Sequence, residues 1–242
     1  MKKLDFLVIG TQKGGTTSMI QNFNQHPEIF MYKDEIHFFD SKIENTDYVS
    51  YHNKFPKSIQ NKFIGEKTPS YCYLQYAIDR IYKYNPKIKL VFVLRNPIER
   101  AYSEWNMYKS NFNFKKPFLD SIKEIETTQL SEIKQNDYWA LQRGYYLEQI
   151  EYILSKFNKK NLHICVSEQI KKNPLQEYNK IFEFFNLNKL NSLDAKLNVR
   201  KGNYNKEITI YEYEYIKNLY LEKTKRLFDF LGYQIEEWKD FL

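Results

Sequence analysis

Nine residues, Gly10-Thr11-Gln12-Lys13-Gly14-Gly15-Thr16-Thr17-Ser18, separate a short apolar run from apolar positions at helical spacing, Met19, Ile20 and Phe23. Glycines let a backbone come close to a ligand, and hydroxyls add donors. A helix start offers unpaired amides and the positive end of a dipole. The stretch therefore predicts an anion cradle at the end of the first strand, suited to a nucleotide phosphate. In a Walker loop, G-x-x-x-x-G-K-[ST], a lysine follows the second glycine. Here Gly10 and Gly15 are in register, but Thr16 holds the lysine slot and Lys13 is the turn's one lysine. A kinase sets the slot lysine on the β- and γ-phosphates. This loop lacks that geometry, whereas Lys13 on its shoulder suits a single 5′-phosphate or the group leaving from it.

Further reactive groups are spread along the chain. Glu35 and His37 flank Ile36 in Lys33-Asp34-Glu35-Ile36-His37-Phe38-Phe39-Asp40. An extended segment would put that carboxylate and imidazole on one side and the apolar residues on the other. Lys67 ends a short strand, the place where α/β sheets deliver functional groups; the competing reading is a solvated lysine. Arg95 follows the apolar run 88–94 and precedes Asn96-Pro97, so its planar fork is placed to grip a phosphate. A local pair with Glu99 is the alternative for Arg95. Ser103 lies two turns into the next helix and reaches the same anion if Arg95 sits over it. Near the C-terminus, Arg200, Lys201 and Gly202 concentrate two cations and a glycine beside Tyr204.

These groups need a scaffold. Apolar, β-prone runs at 4–9, 62–65, 88–94 and 162–166 alternate with helical patterns at 17–25, 46–55, 73–84, after Pro97, 145–157, 174–185 and 211–231. The connection at 27–31 is short and compatible with an extended form. Residues 111–137 read as a polar insertion or flap. Strand and helix in alternation predict βαβ units. The fold class is α/β, a P-loop-like three-layer arrangement with a central, mostly parallel sheet flanked by helices. With no repeat and no linker, residues 1–242 are expected to form one domain.

Composition narrows the chemistry. Lys and Arg outnumber Asp and Glu by 37 to 30 in 242 residues, a formal net charge of +7, but no dense basic block points to nucleic acid. The two cysteines, Cys72 and Cys165, form no C-x-x-C, so neither a metal site nor a disulfide framework is expected. No run has signal-peptide or transmembrane character, which predicts a cytoplasmic protein.

In these motifs the chain resembles the sulfotransferases that use 3′-phosphoadenosine 5′-phosphosulfate (PAPS), on the carbohydrate branch related to heparan sulfate sulfotransferases, as a soluble bacterial-type member. The loop 10–18 is similar to their 5′-phosphosulfate loop. Leu94-Arg95-Asn96-Pro97 through Arg100-Ala101-Tyr102-Ser103 is similar to their 3′-phosphate segment. Residues 33–39 resemble the segment with the catalytic carboxylate, 65–71 a substrate-side motif, and 200–204 the late basic loop. Asn96 stands where many relatives have aspartate. The resemblance implies sulfuryl transfer, with no metal, to a glycan or small-molecule alcohol. It implies Glu35 as general base, Lys13 neutralising the leaving phosphate, His37 orienting, and Lys67 adding positive field. It also implies a donor site made of Lys13, Gly14, Gly15, Thr16, Thr17, Ser18, Arg95, Ser103, Arg200, Lys201 and Gly202. The competing functions are a P-loop kinase of a nucleotide or small metabolite and a non-catalytic nucleotide-binding protein.

Overall fold

The computed structural model describes residues 2–59, 61–129, 138–196 and 207–242. Five strands, β1 (Phe6–Gly10), β2 (Ile29–Met31), β3 (Phe63–Lys67), β4 (Lys89–Leu94) and β5 (Leu162–Val166), form one sheet in the order β2-β3-β1-β4-β5. Every neighbouring pair is parallel. The connection at 27–31 thus supplies an edge strand.

Successive residues of a strand face opposite sides of the sheet, and both sides are buried. Phe6, Val8, Val91 and Val93 face one layer, with Met19 and Phe23 of α1 (Thr16–Phe23), Ile170 of α7 (Ser167–Lys172), and Tyr178 and Phe182 of α8 (Pro174–Phe184). Leu7, Ile9, Leu90, Phe92 and Leu94 face the other layer. That layer contains α2 (Tyr48–His52), α3 (Gln75–Tyr84), α4 (Pro97–Asn111), α5 (Phe118–Ile125), α6 (Tyr146–Lys156) and α9 (Ile210–Leu231). Three layers around a parallel sheet match the sequence expectation.

The departures have physical causes. α2 covers only part of the expected 46–55 helix, and Asp47 caps it by accepting from Ser50 N at 3.0 Å. The supposed flap contains α5, whose Phe118, Ile122 and Ile125 are buried at helical spacing. α7 starts where β5 ends and had no expected counterpart.

The chain passes from β1 outward to β2 and β3 on one side, then to β4 and β5 on the other. The crevice beyond the carboxyl ends of β1, β3 and β4 is therefore the switch point of the sheet, where ligands of open α/β folds bind.

Candidate active site

At this crevice the β1–α1 loop is held against β4. Thr11 N donates to Val93 O at 2.9 Å, and Gly14 N to Thr11 O at 3.0 Å. A Cβ on Gly10 would lie 2.3 Å from Cys72 Sγ, and one on Gly14 would lie 2.9 Å from Thr11 Cγ2 and 3.2 Å from Val93 O. Only glycine fits at either point. Gly15, at φ 85, turns the chain into α1 with no side-chain cap. The first-turn amides at Thr16 and Thr17 are thus the end of a helix open to an anion, while Ser18 N donates to Gly15 O at 3.2 Å.

Lys13 is half-buried and also adopts a left-handed conformation, φ 69. Its carbonyl accepts from Arg95 Nη1 at 2.9 Å, while Arg95 Nη2 pairs with Glu99 at 3.0 Å. The pair with Glu99 is thus present, and the same guanidinium also reaches the backbone of the loop. Asn96 caps α4 by accepting from Ile98 N at 3.0 Å, and Pro97 occupies the first turn. Ser103 is buried on α4.

Across the crevice, Lys67 is not the solvated lysine of the alternative reading. Its side chain is 3% exposed, and Nζ lies 2.5 Å from Glu35 Oε1 and 3.5 Å from Thr17 Oγ1. One ammonium thus touches the candidate base and the helix start of the cradle.

Glu35 and His37 also meet, with Nε2 of His37 3.3 Å from Oε2 of Glu35, but not through strand alternation. Residues 35–37 form no strand, and His37 has φ 54. A left-handed turn, not an extended segment, brings the two side chains together. His37 Nδ1 lies 2.8 Å from the buried Asp40, which also accepts from Ser70 Oγ. The hydrogen bonds to Asp40 and to Glu35 outweigh burial and raise His37 to about 10. Burial pushes Glu35 upward, but hydrogen bonding from His37 and the charge of Lys67 outweigh it and hold the carboxyl at about 2. The resting cluster is therefore carboxylate, imidazolium and ammonium, and His37 already carries its proton.

Some residues at the site were not found from sequence. Arg143, fully buried, donates to Gln12 of the loop and to Glu104, and stacks over Tyr73 at 4.2 Å. Glu104 also holds Arg100 at 2.5 Å, and Arg100 donates to Ala140 O. The i, i+4 spacing of Arg100 and Glu104 was a visible signal. Arg143 had none, because its partners come from three distant segments. Arg200, Lys201 and Gly202 lie outside the described residues.

Comparisons with known proteins bear on the family and the fold. The "Sulfotransferase domain" family matches residues 3–204. The mouse heparan sulfate glucosamine 3-O-sulfotransferase 5 is 28% identical over 209 residues, 82% of this chain and 58% of the relative. The human heparan sulfate glucosamine 3-O-sulfotransferase 6 is 27% identical over 184 residues, 76% of this chain and 52% of the relative. The chain thus spans only somewhat more than half the length of these relatives. Among solved structures, a sulfotransferase from Alicyclobacillus acidocaldarius superposes with a TM-score of 0.84 at 19% identity, covering 99% of this chain and 100% of that one. Mouse sulfotransferase SULT7A1 complexed with PAP gives 0.60 at 16% identity, covering 93% and 85%. By loop, sheet and family match, the chain belongs to the sulfotransferase-domain family.

Proposed function

We propose that this chain, acting as one domain, transfers a sulfuryl group from PAPS to a hydroxyl or amino group of an acceptor, with a carbohydrate hydroxyl favoured. The observation that carries the reading is the position of Lys67, within reach of both Glu35 and Thr17. A group held at the cradle would lie between the loop and the carboxylate. The open helix start and the two obligatory glycines suit a 5′-phosphate without a slot lysine.

In this scheme the amides at the start of α1 and Lys13 bind the 5′ end of the donor, and Arg95 and Ser103 bind its 3′-phosphate. Arg200, Lys201 and Gly202, which the resemblance assigns to the donor site, would add to the binding of that phosphate. Lys13 and Lys67 neutralise charge that develops during in-line transfer. Glu35 takes the acceptor's proton. At about 2 it is a weak base while ion-paired at rest. Drawing Lys67 toward the donor's anionic group removes one of the charges that hold it down, so donor binding would raise its basicity. His37, kept protonated, steers Glu35 and the acceptor. Homologues named for heparan sulfate glucosamine support a glycan acceptor, and the fully buried free thiols Cys72 and Cys165 suit the reducing cytoplasm.

Calorimetric titration tests the reading. The 3′,5′-adenosine bisphosphate should bind without divalent metal and more tightly than AMP or MgATP. A requirement for Mg²⁺, or preference for ATP, would favour a kinase and overturn it.

A further inference from the structure

Beneath the Glu35–His37 turn lies a second carboxylate that the proposed reaction does not use. Glu66, the neighbour of Lys67 on β3, is 0% exposed. It accepts from Tyr71 Oη at 2.9 Å, from Thr68 Oγ1 at 2.9 Å and, more weakly, from Tyr51 Oη at 3.4 Å. Burial is the main influence on its carboxyl and raises it to about 7, although the hydroxyl donors oppose that rise; the charge of Asp40 adds to it.

Two of these hydroxyls have a second task. Thr68 Oγ1 accepts from His37 N at 3.4 Å. Tyr71 Oη accepts from Phe38 N at 3.2 Å and Phe39 N at 3.5 Å. A hydroxyl has one proton to give and lone pairs to receive with. If Thr68 and Tyr71 give their protons to Glu66, their lone pairs are turned to the backbone of residues 37–39. Once ionised, above about pH 7, Glu66 accepts only, so it fixes both directions together. A neutral acid or an amide has a donor of its own, and one hydroxyl would have to turn toward it.

The anchored segment is one that needs anchoring. His37 is a non-glycine residue at φ 54, a conformation that persists where surrounding contacts impose it. Its ring must also meet Glu35 on one side and Asp40 on the other.

We infer that Glu66 is the positioning residue of this site: through the hydroxyls of Thr68 and Tyr71 it holds the amides of residues 37–39, and with them the Glu35–His37–Asp40 arrangement. The inference rests on the sulfotransferase reading only where turnover is the readout.

The experiment compares wild type, Glu66→Gln, Tyr71→Phe, Thr68→Val and Thr68→Ser in the full chain. Glu66→Gln should lower kcat by about 100-fold, the order expected for misplacing a reacting group by about 1 Å. Affinity for 3′,5′-adenosine bisphosphate should stay within roughly twofold, because the cradle is built on other segments; that split separates positioning from general damage. Imidazole titration by NMR gives a second readout: in Glu66→Gln, His37 should move from about 10 toward the ordinary histidine value of 6.5 as it leaves Asp40 and Glu35. Thr68→Val should show both effects and Thr68→Ser should reverse them. If Glu66→Gln does not fold, Tyr71→Phe carries the test, because it removes one anchor and leaves the carboxylate. Unmoved His37 titration in the folded variants would overturn the inference. So would turnover and bisphosphate affinity falling together. Failure of wild type to bind the bisphosphate would sink the sulfotransferase reading instead, and the His37 titration would still decide the role of Glu66.

Discussion

Lys67 Nζ and Glu35 Oε1 are 2.5 Å apart, and the two side chains differ sharply in exposure, 3% for the lysine and 34% for the carboxylate. The pair is anchored from the lysine side. β3 fixes Lys67 inside the crevice, and the less regular segment carrying Glu35 closes onto it. Replacing Lys67 should therefore affect both charge stabilisation and the seat of the base. For Lys67→Met we expect kcat to fall by about 10²–10³, the usual cost of a lost charge-stabilising donor. Glu35 should also titrate higher than its present value of about 2. Steady-state kinetics and carboxyl NMR check the two effects together. Normal turnover would take Lys67 out of the mechanism.

The same cluster sets a pH dependence of stability. His37 and Lys67 hold Glu35 down at about 2, below the ordinary carboxyl value of 4.5. Its contribution is present above 4.5 and is lost as the pH falls through 2. Asp40 first, then Glu35, hold His37 up at about 10, above the ordinary histidine value of 6.5. Its contribution is complete below 6.5 and is lost as the pH rises through 10. Between 4.5 and 6.5 both operate. Melting temperature measured across pH should fall between 6.5 and 10 in wild type, and His37→Gln should flatten that fall. Both side chains are partly exposed, so solvent screening keeps the effect small. An equal alkaline slope in both proteins would contradict the His37–Asp40 coupling.

The legible parts of the sequence were those governed by local rules. Phe6, Val8, Val91 and Val93 alternate with Leu7, Leu90 and Phe92, and glycine occupies Gly10 and Gly14, where a Cβ would collide. The parallel sheet and the loop at the end of its first strand follow from such patterns; the strand order does not. α5 was also legible, since Phe118, Ile122 and Ile125 have helical spacing, but polar flanks at 111–117 and 126–129 masked it. The pairing of Glu35 with His37 was expected for the wrong reason. Its turn depends on Thr68 and Tyr71, which lie some thirty residues away. Arg143 was illegible because a buried cation is defined by its partners. Those are Gln12, Tyr73 and Glu104, and no periodicity links them.

Glu104 supplies a stability prediction. It is fully buried and pairs with two buried guanidiniums, Arg100 and Arg143. Removing one partner of a buried ionic group leaves uncompensated charge and costs about 3–5 kcal/mol. Glu104→Ala should therefore lose about that much in urea unfolding. Arg143 also holds Gln12, so any folded fraction should bind the bisphosphate more weakly. A loss below about 1 kcal/mol would mean that water or a rearranged partner compensates the arginines.

The last prediction concerns Glu35 as base. Glu35→Gln keeps the shape and can still accept a hydrogen bond from Lys67, but it cannot take a proton at neutral pH. Because the residue faces the cradle through Lys67 and Thr17, and is not part of the loop, bisphosphate affinity should remain near wild type. Turnover should fall by about 10²–10⁴, the usual worth of a positioned general base. The low resting value of about 2 adds a further expectation. If donor binding draws Lys67 away, the acid limb of kcat in wild type should lie at higher pH than that of kcat/KM measured with varied donor. The first profile reports the bound enzyme and the second reports the free one. An acceptor screen with labelled donor has to come first, with glycans ahead of simple alcohols. Near-normal turnover of Glu35→Gln on the acceptor so found would place the base elsewhere. His37 would not inherit the role in its resting state, since Asp40 and Glu35 keep its ring protonated.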